Sequence, residues 1–271
     1  MELGVVIQLN EHTEQKLAQL QKMGFHACQL SCWSPAMYSE QVAAHVKAML
    51  QKYDVHISTL WCGWSGPAVW DFYQGQTTLG LVPAQYRAQR ERELINGSDF
   101  GALLGVGQIA THAGFLPEDP NSPTYAAVVA SLQRIVAHCK KNGQYFLFET
   151  GQETPTTLLR TIRDIGMDNV GVNLDPANLI LYGKANPVDA LDTIGTYVRD
   201  VHAKDGCYPT DGRALGRETA LGEGQVNFPA LIAKLKALGY DGPVTVEREI
   251  DGEQQIADIL KAKMLLMDCI G

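Results

Sequence analysis

Four residues of this sequence could together hold a divalent cation: Glu149, Asp175, His202 and Glu247. Each lies at or beside the end of a short apolar run, in "QYFLFE", "VGVNLD", "VRDVHA" and "PVTVE". A charged group placed where a hydrophobic strand stops costs desolvation unless something compensates it. Three carboxylates brought to one point would repel unless protons or a cation neutralised them, and a divalent metal is the simplest neutraliser. Oxygen donors with one imidazole nitrogen suit Mn²⁺, Mg²⁺ or Co²⁺ and also tolerate Zn²⁺, so one ion is expected, with Mn²⁺ first among them. Taken singly, each residue has a plainer reading as a cap, an ion-pair partner or a solvated group. The set of four on successive strands carries the inference.

Such residues meet only if the strands that carry them are parallel neighbours. Eight strand-like runs recur along the chain: "LGVVIQL" near residue 3, "FHACQLS" from 25, "VHISTLW" from 55, "VGQIATH" from 106, and the four named above from 144, 170, 198 and 243. Amphipathic helix-like stretches lie between them and end in Gly at Gly24, Gly143, Gly166 and Gly239. Eight βα units in 271 residues predict an α/β fold, a (β/α)8 TIM barrel forming one domain over residues 1–271, its terminal helix packing beside the first strand. In that architecture the strand C-termini converge on the face that carries active sites. A doubly wound sheet is the alternative, but "GALLGVG" puts its glycines before a strand, where a dinucleotide fingerprint needs them after one. Two long connections, Cys62 to Gln85 and Lys204 to Val226, read as loops over the site.

Composition limits the partners. A formal charge of −8 and a pI near 5.3 disfavour extended contact with nucleic acid, and no apolar run approaches the ~20 residues of a membrane span. The start "MELGVVIQLNEH" lacks a secretory pattern, so a cytoplasmic protein is expected. The six scattered cysteines read as mostly reduced and structural. A small-molecule substrate is expected, and homodimeric or homotetrameric assembly is compatible with this reading.

Taken together, "FLFETGQE", "VNLDPANL", "VHAKD", "ALGEGQVNFPALIAKLKALGYDGPVTVERE" and "TLGLVPAQYRAQR" resemble the sugar phosphate isomerase/epimerase family of xylose isomerase-like TIM barrels. The likeness spans nearly the whole chain and is strongest from about residue 144. It implies one divalent metal held by Glu149, Asp175, His202 and Glu247, with Glu149 and Glu247 also acting as acid and base on a sugar, ketose or sugar phosphate. The chemistry has an independent basis. Removing a proton beside a carbonyl leaves an enediolate, whose charge a Lewis acid meets as it forms while a carboxylate takes the proton. Loss of a β-hydroxyl from the same intermediate would make an inosose-type dehydratase.

The sequence departs from the ketose 3-epimerase pattern, holding Asn178 and Tyr208 where a His and an Arg are usual. Further candidates for substrate contact are Lys204, His112, Gln152, Asn178 and Trp61, with Trp64 as part of an apolar wall. Lys204 could instead form a surface ion pair with Asp205. The rival classes are a three-zinc nuclease like endonuclease IV, which would want His where Asn178 and Arg213 stand, and a sugar-binding barrel without catalysis.

Overall fold

The computed structural model describes residues 1–271. Its strands in chain order are β1 (Glu2–Gln8), β2 (Ala27–Cys32), β3 (His56–Cys62), β4 (Gln108–Thr111), β5 (Tyr145–Glu149), β6 (Val170–Leu174), β7 (Val198–Ala203), β8 (Asp205–Cys207), β9 (Arg217–Thr219) and β10 (Pro243–Val246). Eight of them close a parallel barrel in the order β1-β10-β7-β6-β5-β4-β3-β2, and β8 and β9 form a separate antiparallel pair. The helices are α1 (Thr13–Lys22), α2 (Glu40–Tyr53), α3 (Gly75–Thr78), α4 (Ala84–Leu104), α5 (Pro123–Lys141), α6 (Pro155–Ile165), α7 (Pro176–Leu181), α8 (Pro187–Ile194), α9 (Phe228–Ala237) and α10 (Glu253–Ile270).

Local chemistry explains most boundaries. Four helices open on a polar cap followed by Pro: Ser122-Pro123, Thr154-Pro155, Asp175-Pro176 and Asn186-Pro187. The cap side chain accepts an otherwise orphaned N–H, and Pro at the first helical position has no N–H to lose. The four helix-ending glycines predicted from sequence all adopt left-handed backbone, with φ between 69° and 80°. Leu158, Ile162 and Ile165 turn one face of α6 inward, and each fully buried side chain of this kind stabilises by about 1.5–3 kcal/mol.

The barrel closes by parallel pairing of β1 with β10, and outside that seam the first and last helices are tied together. Lys16 of α1 donates to Gln255 of α10 at 2.8 Å, and Lys263 of α10 donates to the carbonyls of Met23 and Gly24 at 2.7 and 2.9 Å. Neither long connection is structureless. The first contains α3 and the second the β8–β9 pair. Arg90, 0 % exposed, clamps the first: its guanidinium donates to the carbonyls of Thr78 and Gly80 at 2.7 Å, Pro67 at 2.9 Å and Ser65 at 3.2 Å. Asp205 clamps the second by accepting the backbone N–H groups of Gly206, Gly222, Gly224 and Val226 at 2.8–3.1 Å. A Cβ at Gly224 would come within 2.1 Å of the Asp205 carboxylate, so that position requires glycine. No helix is long and apolar enough to cross a membrane.

Candidate metal centre and substrate cavity

Parallel pairing of β5, β6, β7 and β10 brings the four sequence-nominated ligands to one end of the barrel. Glu149 is the last residue of β5, and Asp175 and Glu247 directly follow β6 and β10. His202 lies one residue before the end of β7, in register with Thr245. Asp175 stands at the start of a helix, with Pro176 at the first helical position. It caps α7, its Oδ1 accepting from Asn178 N at 2.9 Å, while Thr150 Oγ1 donates to its carbonyl at 2.8 Å. Only Oδ2 is left to face the centre.

One ligand atom from each of the four residues lies within 4.8 Å of all the others. His202 Nδ1 is 3.2 Å from Glu247 Oε2, 3.3 Å from Glu149 Oε1 and 3.7 Å from Asp175 Oδ2. Asp175 Oδ2, His202 Nδ1 and Glu247 Oε2 are buried without a hydrogen-bond partner. Buried polar atoms are seldom left unpaired. Two convergent carboxylate oxygens and an imidazole nitrogen without partners, at the ends of β6, β10 and β7, fit a divalent cation, and the quartet could hold one.

Electrostatics follow from this crowding. Burial opposes charge on Glu149, yet the His112 and His202 imidazoles hold its carboxyl well below the usual range. Burial likewise opposes charge on Glu247, but Lys204 and His202 bring it down to about 2. His202 is pushed the other way: despite burial, the Glu247 and Glu149 carboxylates raise it well above an ordinary imidazole. Its Nε2 lies 2.7 Å from Gln29 Oε1. Gln29 in turn donates to Asp200 and Asn173 at 3.3 Å inside the barrel.

The other sequence candidates divide. Lys204 does not form a surface pair with Asp205. It is buried and reaches Glu249 at 2.7 Å, Glu247 at 3.2 Å and Asp175 at 3.5 Å, because alternate residues of a strand share a face and Lys204 stands two after His202. His112 Nε2 is 3.4 Å from Glu149 Oε1, and Asn178 Nδ2 is 3.5 Å from the same oxygen. Trp61 Nε1 donates to Glu149 Oε2. Gln152 is buried without a partner for either amide atom and does not line the cavity. Trp64 is also buried, with the Arg90 guanidinium 5.2 Å from its ring. All six cysteines are free.

A cavity of about 690 Å³ opens beside the quartet, within the usual size range of small-molecule sites. Its lining includes residues the sequence reading passed over: Gln29, Trp33, Trp70, Tyr182 and Glu249. Trp33 follows the end of β2, so extending the strand-end survey to the first half of the barrel would have found it. Trp70 and Tyr182 lie in a loop and at a short helix end, where no strand pattern points.

Fold and site together define a parallel eight-stranded barrel with an acid-rich, metal-type cluster at its C-terminal mouth. Residues 17–267 match the family described as xylose isomerase-like TIM barrel, and the chain belongs to that family. A solved xylose isomerase domain protein from Planctomyces limnophilus is 34% identical, with a TM-score of 0.93 over 98% of this chain and 96% of that one. A D-psicose 3-epimerase solved in the presence of D-fructose has a TM-score of 0.74 over the whole of both chains at 16% identity, a likeness of fold. MJ1311 of Methanocaldococcus jannaschii, an uncharacterized protein, is 33% identical over 116 residues, 42% of this chain. The match spans only 36% of MJ1311's own length.

Proposed function

We propose that residues 1–271 act as one barrel domain that isomerises or epimerises a small sugar by moving a proton beside a carbonyl. The observation that carries this is the placement of Glu149 and Glu247 on opposite sides of the quartet, separated in the barrel by β6 and β7 and both facing the cavity. A divalent cation held by Glu149, Asp175, His202 and Glu247, Mn²⁺ in this reading, would supply Lewis-acid stabilisation of charge developing on the substrate oxygens.

The chain's own residues supply the rest. One glutamate takes the proton from the carbon next to the carbonyl, the C–H electron pair moving into the enediolate; a proton returns to either carbon from that same glutamate, or from the other glutamate on the opposite face once it has taken one from solvent. The Trp61 N–H and the Asn178 amide beside Glu149 fix its carboxylate so that it need not reorganise during transfer. Lys204 sits beside Glu247 and keeps it ionised, ready to accept a proton. The family's structural neighbours include D-psicose 3-epimerase, which supports an epimerase over a non-catalytic binder.

The test is incubation of Mn²⁺-loaded protein in D₂O with ketoses, hydroxypyruvate and inososes, followed by NMR. Deuterium should enter at a carbon beside the carbonyl and fail to enter with Glu149→Gln or Glu247→Gln. Full exchange in both variants would sink the proposed acid and base roles.

A further inference from the structure

All four tryptophans of the chain, Trp33, Trp61, Trp64 and Trp70, gather on one side of the cavity mouth. Trp33 is the hub, its ring centroid 4.4 Å from Trp61, 6.2 Å from Trp64 and 6.0 Å from Trp70. Trp61 is committed to Glu149 and Trp64 to packing under Arg90. Trp33 and Trp70 line the cavity, and Trp70 remains 37% exposed although its ring is only 5.1 Å from that of His112. Flat indole surface facing a cavity beside a polar centre suits a molecule with one apolar face and a polar edge.

Charge narrows the class further. The Lys and Arg side chains lining the cavity are all engaged: Lys204 with Glu249 and Glu247, Arg248 with Asp258 at 2.7 Å and Glu218 at 2.8 Å, Lys16 with Gln255. In barrels a phosphate usually sits on backbone N–H groups of the loops after the seventh and eighth strands. Here four such N–H groups after β7 are already taken by Asp205. The one cavity carboxylate left without a cationic partner, Asp251, adds negative charge that disfavours an anion.

We infer that the substrate is an uncharged sugar or polyol whose carbonyl lies in a ring, packed by its C–H face against Trp70 in the corner that this ring makes with the perpendicular Trp33, with the carbonyl edge toward the quartet. This rests on the proton-transfer reading above. A six-membered ring presents a continuous face of axial C–H groups to an indole, whereas an open-chain ketose phosphate presents none and brings two negative charges.

The test compares binding and exchange. Saturation-transfer NMR on the metal-free protein would use an inosose and a methyl 3-ketoglucoside as ring probes, with dihydroxyacetone and ribulose 5-phosphate as open-chain ones. The Mn²⁺-loaded protein would be run against the same four in D₂O. Ring probes should bind at least about ten-fold more tightly than ribulose 5-phosphate. Trp70→Ala should weaken ring binding by about ten-fold while leaving dihydroxyacetone within two-fold, and Trp70→Phe should restore most of the loss. Circular dichroism of both variants checks folding. A smaller preference, or ring binding that survives Trp70→Ala, overturns the inference. Deuterium exchange confined to the open-chain probes overturns it while leaving the proton-transfer reading intact. Tight ring binding without exchange into any probe leaves the platform standing and defeats the proton-transfer reading.

Discussion

Replacing Asp205 by Asn changes neither the size nor the shape of the side chain, yet it should detach the loop of residues 206–226 from the barrel mouth. Oδ1 accepts from Gly206 and Val226 at 2.8 and 3.1 Å, and Oδ2 accepts from Gly222 and Gly224, both at 3.0 Å. Whichever way the Asn amide turns, its NH₂ must face two backbone N–H donors. Two hydrogen bonds to a charged acceptor are lost, each worth about 1.5–3 kcal/mol, and two donors are left opposed. The bonding groups of Asp205 and Val226 are buried, so water replaces them poorly. Partial relaxation at the more open Gly222 and Gly224 brings the expected cost to about 3–4 kcal/mol. For a chain of this size that is about 6–8 °C in melting temperature, at about 2 °C per kcal/mol. Differential scanning calorimetry reads the global effect, and amide exchange at Gly222, Gly224 and Val226 reads the local one. Asp205→Ala should cost more than Asn, because it removes both acceptor oxygens and all four hydrogen bonds where Asn keeps one oxygen and two of them. A melting point within 1 °C of the parent, with the three amides still protected, would show that the carboxylate does not hold the loop.

Three other perturbations probe separate parts of the site. Gln29→Leu removes the acceptor 2.7 Å from His202 Nε2 and should weaken Mn²⁺ binding by about 10–100-fold in calorimetric titration, the usual penalty for losing a group that orients a ligand; an unchanged Kd in a folded variant would rule that role out. Burial pushes the Glu153 carboxyl up to about 7, so the folded state binds its proton more tightly than the unfolded state does, and the resulting stability is present at low pH and lost as pH rises through about 7. Glu153→Gln should therefore gain about 2–4 kcal/mol over the parent at pH 8 and almost nothing at pH 4, compared by urea unfolding; an equal gain at both pH values would contradict this. Arg90→Lys keeps a charge but cannot span the carbonyls of Ser65, Pro67, Thr78 and Gly80, and should cost about 3–5 kcal/mol with a shift in tryptophan emission; retained stability would mean the clamp is dispensable.

Much of the architecture was legible because strand and helix periods alternate cleanly and the stops are chemical. The Gly residues ending α1, α5, α6 and α9 and the cap-Pro pairs opening four helices leave little freedom in the boundaries. The convergence of Glu149, Asp175, His202 and Glu247 followed from the same logic, since parallel neighbours place their ends together. Lys204 was harder. Its spacing from His202 gave the correct face, but adjacent Asp205 offered a local partner, and only the fold shows that Asp205 is consumed by four backbone N–H groups while Glu249 comes from another strand end. Trp70 and Tyr182 escaped for a different reason. They reach the cavity from a loop held by Arg90 and from the end of α7, and no period in sequence encodes a loop's return path.

The layer beneath the candidate metal centre shows how a buried cost can decide which nitrogen faces a ligand. Barrel interiors are normally filled by branched apolar side chains, yet here Gln29, Asn173, Asp200, Thr59 and Thr245 are all buried there. Asp200 Oδ2 takes hydrogen bonds from Thr59 at 2.6 Å and from the Gln29 amide NH₂ at 3.3 Å, and the same NH₂ reaches Asn173 Oδ1. If Gln29 flipped, its carbonyl oxygen would meet two acceptors and its NH₂ would face His202. The flip is therefore disfavoured, so Oε1 faces the imidazole at 2.7 Å and favours a proton on Nε2, against the Asn173 NH₂ that lies 3.0 Å from the same nitrogen. A proton on Nε2 would leave Nδ1, which faces Glu149, Asp175 and Glu247, free to complete a metal site. Leucine at position 29 would pack the barrel at lower desolvation cost but would leave the tautomer unspecified. A polar layer in an otherwise apolar barrel is thus explained by the site above it rather than by stability.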